Sequence, residues 1–278
     1  MTPGAATQAY AACEPPIGAF QSRYPQPMRQ RSFRFFHMPT SFKTIRARAE
    51  KRKGGAKMLQ KLLPAKPEPK ALAKLGDDRV LAEMTRRVFC AGFAWSVIDN
   101  KWDGFEEAFH GFAAGKLSLL PDDYWDDLMK DKRIVRNGAK IMSVRANATF
   151  VNDIAKEQGS FGKFLAKWPS ADETGLLDLL AKRGSRLGGN TGQMLLRFLG
   201  WDGFVTSRDV VLCLRDAGLD IAETVTSKRD LAKVQAQFNA WAKETGLPYV
   251  QISRICAMSI GENYTAETLA KRMGGDGA

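Results

Sequence analysis

From Asp77 onward the apolar residues of this chain recur at steps of three and four, and no segment keeps the period of two that a half-buried strand requires. Leu81, Met84, Val88, Ala91, Trp95 and Ile98 fall on one stripe of a predicted helix that Asp77 or Asp78 can cap. The stretch "WDGFEEAFHGF" reads as a short helix with Phe105 and Phe109 four apart and Gly111 at its end. Pro121, Asp122 and Asp123 suit the start of another, because acids and a missing N–H both match an uncapped helix N-terminus. An Asn-Gly turn then precedes a long helix with Ile141, Val144, Ala148, Val151 and Ile154 on one side. A helix from Asp172 to Arg183 leads into "RLGGNTGQMLLRFLGWDGFVTSRDVVLCLR" (186–215), and "SKRDLAKVQAQFNAWAKETG" and "PYVQISRICAMSIG" give two closing helices. The expected fold class is an all-α helical bundle without internal repeats.

Composition divides the chain. The formal charge is +12, but residues 1–70 hold 14 Lys/Arg against 3 Asp/Glu, so the excess lies in the N-terminal quarter. That quarter also carries 9 of the 12 prolines, and "KTIRARAEKRK" (43–53) has little apolar content with which to pack. Residues 1–72 are therefore expected to be a disordered basic tail, and residues 73–278 the helical domain. Met38 reads like a bacterial translation start, which would make residues 1–37 an upstream mis-start. The first 20 residues lack a secretory signal's basic start and apolar run, and no run reaches the roughly 18 apolar residues of a membrane span. A soluble, cytoplasmic protein with no membrane partner is expected. Cys13, Cys90, Cys213 and Cys256 are scattered, with only His37 and His110 to assist them, which favours buried thiols over a disulfide framework or a metal site.

Candidate chemistry centres on the glycine pair of the 186–215 stretch. Gly188 and Gly189 permit a tight turn into an apolar helix, Asn190 or Thr191 can cap it, and Met194, Leu195, Phe198 and Leu199 tie it to the core. Backbone N–H groups bared by such a turn can hold a phosphate oxygen, although the same pattern also serves plain helix-to-helix connections. Arg136, Lys140 and Arg145 stand where a basic helix start can meet phosphate.

The order of these parts over residues 77–218 resembles the helix-hairpin-helix DNA glycosylase superfamily: "RIVRNGAKI", a helix, the hairpin "LGGNT", then "LLRFLGWDGFV" and an acid-bearing helix start. Within it, "AGFAWSVIDNKWDGFEEAF" (91–109), "IVRNGAKIMSVRANATF" (134–150) and "KRGSRLGGNT" (182–191) are similar to the 3-methyladenine DNA glycosylase I family. The resemblance implies base excision from double-stranded DNA: hydrolysis of the N-glycosidic bond of alkylated purines, chiefly 3-methyladenine, after the base has left the stack. A monofunctional, monomeric bacterial enzyme is expected, since lyase members of the superfamily use a hairpin lysine and "LGGNTG" has none.

Site residues follow from the same resemblance. Trp95, Trp102 and Phe93 are the substrate-binding candidates, with Phe105 a further ring at core spacing; a cationic 3-alkylated adenine favours electron-rich faces. Trp95 matches the family's pocket tryptophan and also lies on the apolar stripe. Gly188, Gly189, Asn190, Thr191, Arg136 and Lys140 are the DNA-binding candidates. Asp209 and Glu83 are the catalytic candidates. Asp209 follows the hairpin helix, although the superfamily's usual register falls at Ser207 or Arg208, and "TSRD" also reads as a capping box with Thr206 as cap. The family's pocket carboxylate would stand at Arg87, with Glu83 the nearest acid, one turn earlier. The family's zinc would fall partly on Asp209 and Cys213, without an N-terminal counterpart, so no cofactor is expected. Two other readings remain: a helix-hairpin-helix DNA-binding module without catalysis, and a core that serves a protein partner while the tail binds nucleic acid.

Overall fold

The computed structural model describes residues 40–265 and Thr268, and the described residues form helices and loops with no strand. The chain runs through α1 (Phe42–Lys53), α2 (Ala56–Lys61), α3 (Pro69–Leu72), α4 (Asp77–Cys90), α5 (Trp95–Asp99), α6 (Trp102–Ala108), α7 (Ala114–Leu117) and α8 (Asp122–Leu128). It continues through α9 (Gly138–Gln158), α10 (Phe161–Lys167), α11 (Glu173–Arg183), α12 (Asn190–Phe198), α13 (Arg208–Asp216), α14 (Lys228–Thr245) and α15 (Tyr249–Ser259). The all-α expectation holds. So do the starts at Asn137, whose side chain accepts from Lys140 N at 3.1 Å, and at Asp172, which caps α11.

The apolar residues condense into two cores. One draws on residues from Leu72 to Trp201, with α4 against α9 and α12. The other joins α1 and α2 to α13, α14 and α15. Both ends of the described chain thus lie in one lobe, and a contiguous middle forms the other.

The disordered-tail expectation for 1–72 is corrected over residues 42–72, which are largely helical; residues 1–39, with Cys13 and His37, lie outside the described residues. Phe42, Ile45 and Ala49 of α1 recur at steps of three and four, and this narrow seam is fully buried, with the Phe42 and Trp241 rings 5.4 Å apart. The basic residues beside the seam serve the end of α15 rather than a phosphate. Arg52 donates to Met258 O (3.1 Å) and Gly261 O (2.7 Å), and Lys53 Nζ to Asn263 Oδ1 (3.0 Å) and Tyr264 O (2.7 Å). A helix leaves its last carbonyls unpaired and carries partial negative charge there, so cations on a neighbouring helix are a favourable closure.

The predicted stripe from Leu81 to Ile98 is one helix only as far as Cys90. Ala91 is extended and Gly92 has φ of 79°, so the chain turns before Trp95 begins α5. Asp77 does not cap α4; its Oδ1 accepts from Phe161 N at 2.7 Å, and Gly76 holds the cap position.

Between the lobes, Glu173 is fully buried and its Oε2 accepts from Phe204 N at 2.7 Å, while Oε1 has no hydrogen-bond partner. Burial pushes this carboxyl well above the usual carboxylate range, so the folded chain binds its proton more tightly than the unfolded chain does. Its contribution is therefore present at acid pH and is lost as pH climbs towards the folded value, at no more than about 1.4 kcal/mol per pH unit. Urea unfolding of wild type and Glu173→Gln across pH 4–8 is expected to show wild-type stability falling relative to the variant as pH rises. A constant difference would remove the assignment.

Candidate active site

The hairpin spans the loop between α11 and α12. Ser185 N donates to Asn147 Oδ1 (2.7 Å) and Asn147 Nδ2 donates to Ser185 O (3.1 Å), so buried Asn147 of α9 fixes the loop's start, and Leu187 anchors its middle in the core. Gly188, Gly189 and Asn190 are exposed and Thr191 is half-buried. Neither Asn190 nor Thr191 caps the helix as expected: Gly189 takes the cap position, at φ 58° and ψ −136°, with no side chain closing the first turn. The leading N–H groups of α12 therefore face outward without a side-chain acceptor, the arrangement that receives an anion. Arg136 is exposed ahead of α9 and Arg186 is exposed in the hairpin, and neither makes an ion pair among the described residues.

Lys140 is corrected. It is only 7% exposed, and its Nζ donates to Phe89 O (3.0 Å) and Ala91 O (2.6 Å), closing the end of α4 and holding the turn that presents Trp95. Burial, with Arg186 nearby, lowers its pKa. A desolvated ammonium with two carbonyl partners does not serve as a phosphate contact. Phe93 is 40% exposed beneath the same ammonium, 4.6 Å from ring centre to Nζ, and stands apart from the slot formed by Trp95.

That slot joins α12 to the α4–α5 turn. Trp95 meets Phe198, at the far end of α12, edge-on with ring centres 5.6 Å apart. The Arg87 guanidinium lies against both, Cζ 3.9 Å from the Phe198 centre and 4.8 Å from that of Trp95. Arg87 Nε is 2.7 Å from Glu83 Oε1, one turn back on α4. Burial pushes the Glu83 carboxyl upward against the opposing pull of Arg87 and Arg86. Glu83, Arg86, Trp102 and Phe198 share the wall of a cavity of about 290 Å³. Trp102 there is stacked on Phe105 and Phe112, both at 5.5 Å, with Arg86 over its face at 4.5 Å. Phe198 also bounds a second cavity of about 360 Å³, lined by Arg197, Arg254 and Ser207. A larger one, about 870 Å³, runs under the hairpin past Gly189, Asn190 and Arg208.

Asp209 lies in the wall of none of these three cavities. It packs so closely on Gly261 that a Cβ there would collide with Oδ1. The capping-box alternative fails as well: Ser207 caps α13, accepting from Val210 N at 3.5 Å, and the Thr206 hydroxyl donates to Gln193 Oε1 at 2.8 Å. Ser207, and not Asp209, therefore faces the interlobe space. Cys213 Sγ accepts from Ser259 Oγ at 3.4 Å, and among the described residues no group of three His, Cys, Asp or Glu is placed to hold a metal ion. Cys90, Cys213 and Cys256 are buried free thiols.

Arg87 and Phe198 are the site residues that sequence spacing missed as partners, since 111 positions separate them. The signal for Phe198 lay in α12 itself, where Met194, Arg197 and Phe198 share a face at i, i+3 and i+4.

The described residues thus form a two-lobed, all-α molecule in which one helix, α12, carries an open glycine turn at its start and an aromatic slot at its end. The methyladenine glycosylase family matches residues 72–176, so the resemblance to that family is shown over this segment, which carries Glu83, Arg87, Trp95 and Trp102. Among solved structures, the chain is similar to 3-methyladenine DNA glycosylase I from Staphylococcus aureus at 24% identity, covering 45% of this chain and 77% of that one, with a TM-score of 0.41. Another 3-methyladenine DNA glycosylase I structure matches at 18% identity over 49% of this chain and 82% of that one, TM-score 0.41. An 8-oxoguanine glycosylase/lyase from Methanocaldococcus jannaschii, in complex with DNA, matches at 13% identity over 77% of this chain and 95% of that one, TM-score 0.44.

Proposed function

We propose that this protein is a monofunctional DNA glycosylase that hydrolyses the N-glycosidic bond of alkylated purines, 3-methyladenine foremost, in duplex DNA. The observation that carries the reading is α12 itself: its exposed, uncapped N-terminus and the Trp95–Phe198 slot at its C-terminus stand about 12 Å apart along one rigid rod. The hairpin N–H groups and Arg136 hold the strand beside the lesion, and the extruded base is taken up between the lobes against indole and phenyl faces. A cationic 3-methyladenine departs as a neutral base, so little acid assistance is needed. The Glu83 carboxylate in the cavity wall counters positive charge on base and sugar as the bond opens, and water from the interlobe space adds to C1′.

The test is release of free 3-methyladenine from methylated duplex DNA under single-turnover conditions. Trp95→Ala is expected to slow release roughly 10-fold to 100-fold, the range lost with one base-stacking surface, while circular dichroism and unfolding stay cooperative. The second reading, a DNA-binding module without catalysis, is favoured by the Arg87 guanidinium seated between Trp95 and Phe198. Retained DNA binding without release of any base establishes it instead.

A further inference from the structure

The cavity of about 360 Å³ beside Phe198 differs from the other two in the balance of charge along its walls. Each of the others sets two cations against two acids: Arg79 and Arg86 against Glu83 and Glu106 in the smaller, Arg208 and Lys228 against Asp172 and Asp178 in the larger. Here Arg197, from the last turn of α12, and Arg254, from α15, border one space, and no described residue in its wall is acidic. A cleft lined by one sign of charge between low-dielectric walls focuses that field on whatever enters.

The polar groups in the same wall suit the same ligand. Ser253 is buried and its Oγ accepts from Val205 N at 3.2 Å, while Ser207 Oγ accepts from Val210 N at 3.5 Å. Each hydroxyl, its oxygen engaged as an acceptor, keeps its proton for a further partner. A guanidinium has five donors and no acceptor, so a contact elsewhere leaves several to give. Cationic and neutral donors on one cavity complement an anion rich in acceptor oxygens, and a phosphate group is the one that matches arginine best. We propose that this cavity is a phosphate site, filled by the phosphodiester next to the extruded nucleotide. The choice of DNA as the source rests on the glycosylase reading. Phe198 borders both this cavity and the one that holds Glu83, so base and phosphate of one nucleotide occupy neighbouring spaces that share its ring as a wall. The hairpin N–H groups hold the strand about 12 Å away, at the start of the same helix, and α12 thereby carries a backbone contact at each end.

The experiment uses the full chain and duplexes with a tetrahydrofuran abasic analogue at the lesion position, either all-phosphate or with one flanking linkage replaced by a neutral methylphosphonate. Wild type is compared with Arg197→Gln, which removes a cation from the wall, and separately with Ala257→Glu, which adds an acid to it, so that one folded variant suffices. Wild type is expected to lose affinity about 10-fold to 100-fold at one flanking linkage, the range of a hydrogen bond to a charged group. Each variant should bind the all-phosphate duplex more weakly, lose little further at that linkage, and show a salt slope smaller by about one. If no linkage separates wild type from the variants, inorganic phosphate is compared with chloride at equal ionic strength in thermal unfolding. Protection of wild type but not of the variants then supports a phosphate site filled from solution, and no difference in either arm overturns the proposal. A linkage-specific loss that the variants abolish, without release of any base from methylated DNA, overturns the glycosylase reading and leaves the phosphate site standing.

Discussion

Glu83→Gln is expected to lower single-turnover release of 3-methyladenine by about 100-fold or more, and Asp209→Asn to leave it near the wild-type rate. The two acids looked interchangeable in the sequence, and their surroundings separate them. Glu83 has a side chain only 18% exposed, pairs with Arg87, and borders the cavity that reaches Phe198. Asp209 is packed on Gly261 in the first turn of α13, outside all three cavities described. Glutamine keeps an oxygen for Arg87, so the substitution removes charge with little change of shape. The pH profile supplies an independent readout. Burial raises the Glu83 value against the pull of Arg87 and Arg86, so the acid limb of the wild-type rate should be shifted upward from that of an ordinary glutamate, activity rising as the group ionises, and should vanish in Glu83→Gln. Equal losses at Glu83 and Asp209, or loss at Asp209 alone, would move the chemistry to the far side of Ser207.

Gly189→Ala should weaken duplex binding at least 10-fold and lower stability by about 1–3 kcal/mol, whereas Gly188→Ala should do neither. At φ 58° and ψ −136°, Gly189 occupies a backbone region that side chains almost never enter. A Cβ at Gly189 would meet nothing within 4 Å, so the penalty is one of torsion and not of collision. At Gly188 a Cβ would rest 3.5 Å from that of Ala181, an ordinary contact. Relief of the strained torsion would turn the leading N–H groups of α12 away from the strand. Equilibrium binding at several salt concentrations, with thermal unfolding alongside, distinguishes a lost backbone clamp from a lost fold. Undiminished binding by Gly189→Ala would mean that the hairpin is only a connection.

Much of this was legible in the sequence because it is local. The helical period after Asp77, the Asn137 and Asp172 starts and the exposed glycine pair each depend on residues a few positions apart. What escaped depends on distant partners. The run "KTIRARAEKRK" (43–53) looks too polar to pack until α15 supplies an apolar groove for Ile45 and Ala49 and a carbonyl for Arg52, and the segment after it supplies oxygens for Lys53. Lys140 carries the charge expected of a DNA contact, but the end of α4 takes it inward. Arg87 marked a departure from the family pattern in the sequence, and its seat between two rings emerged only when Phe198 came into place.

The return of α1 to the C-terminal lobe also orders events during synthesis. Arg48 and Ser259, joined in the folded protein, are 211 positions apart, so the first helix leaves the ribosome long before its partner exists. The contiguous middle lobe can gather itself from nearby segments meanwhile, and non-local closure comes last. Until then the cavity beside Phe198 lacks the wall that Ser253, Arg254 and Ala257 bring to it, so its shape is set only when α15 has arrived.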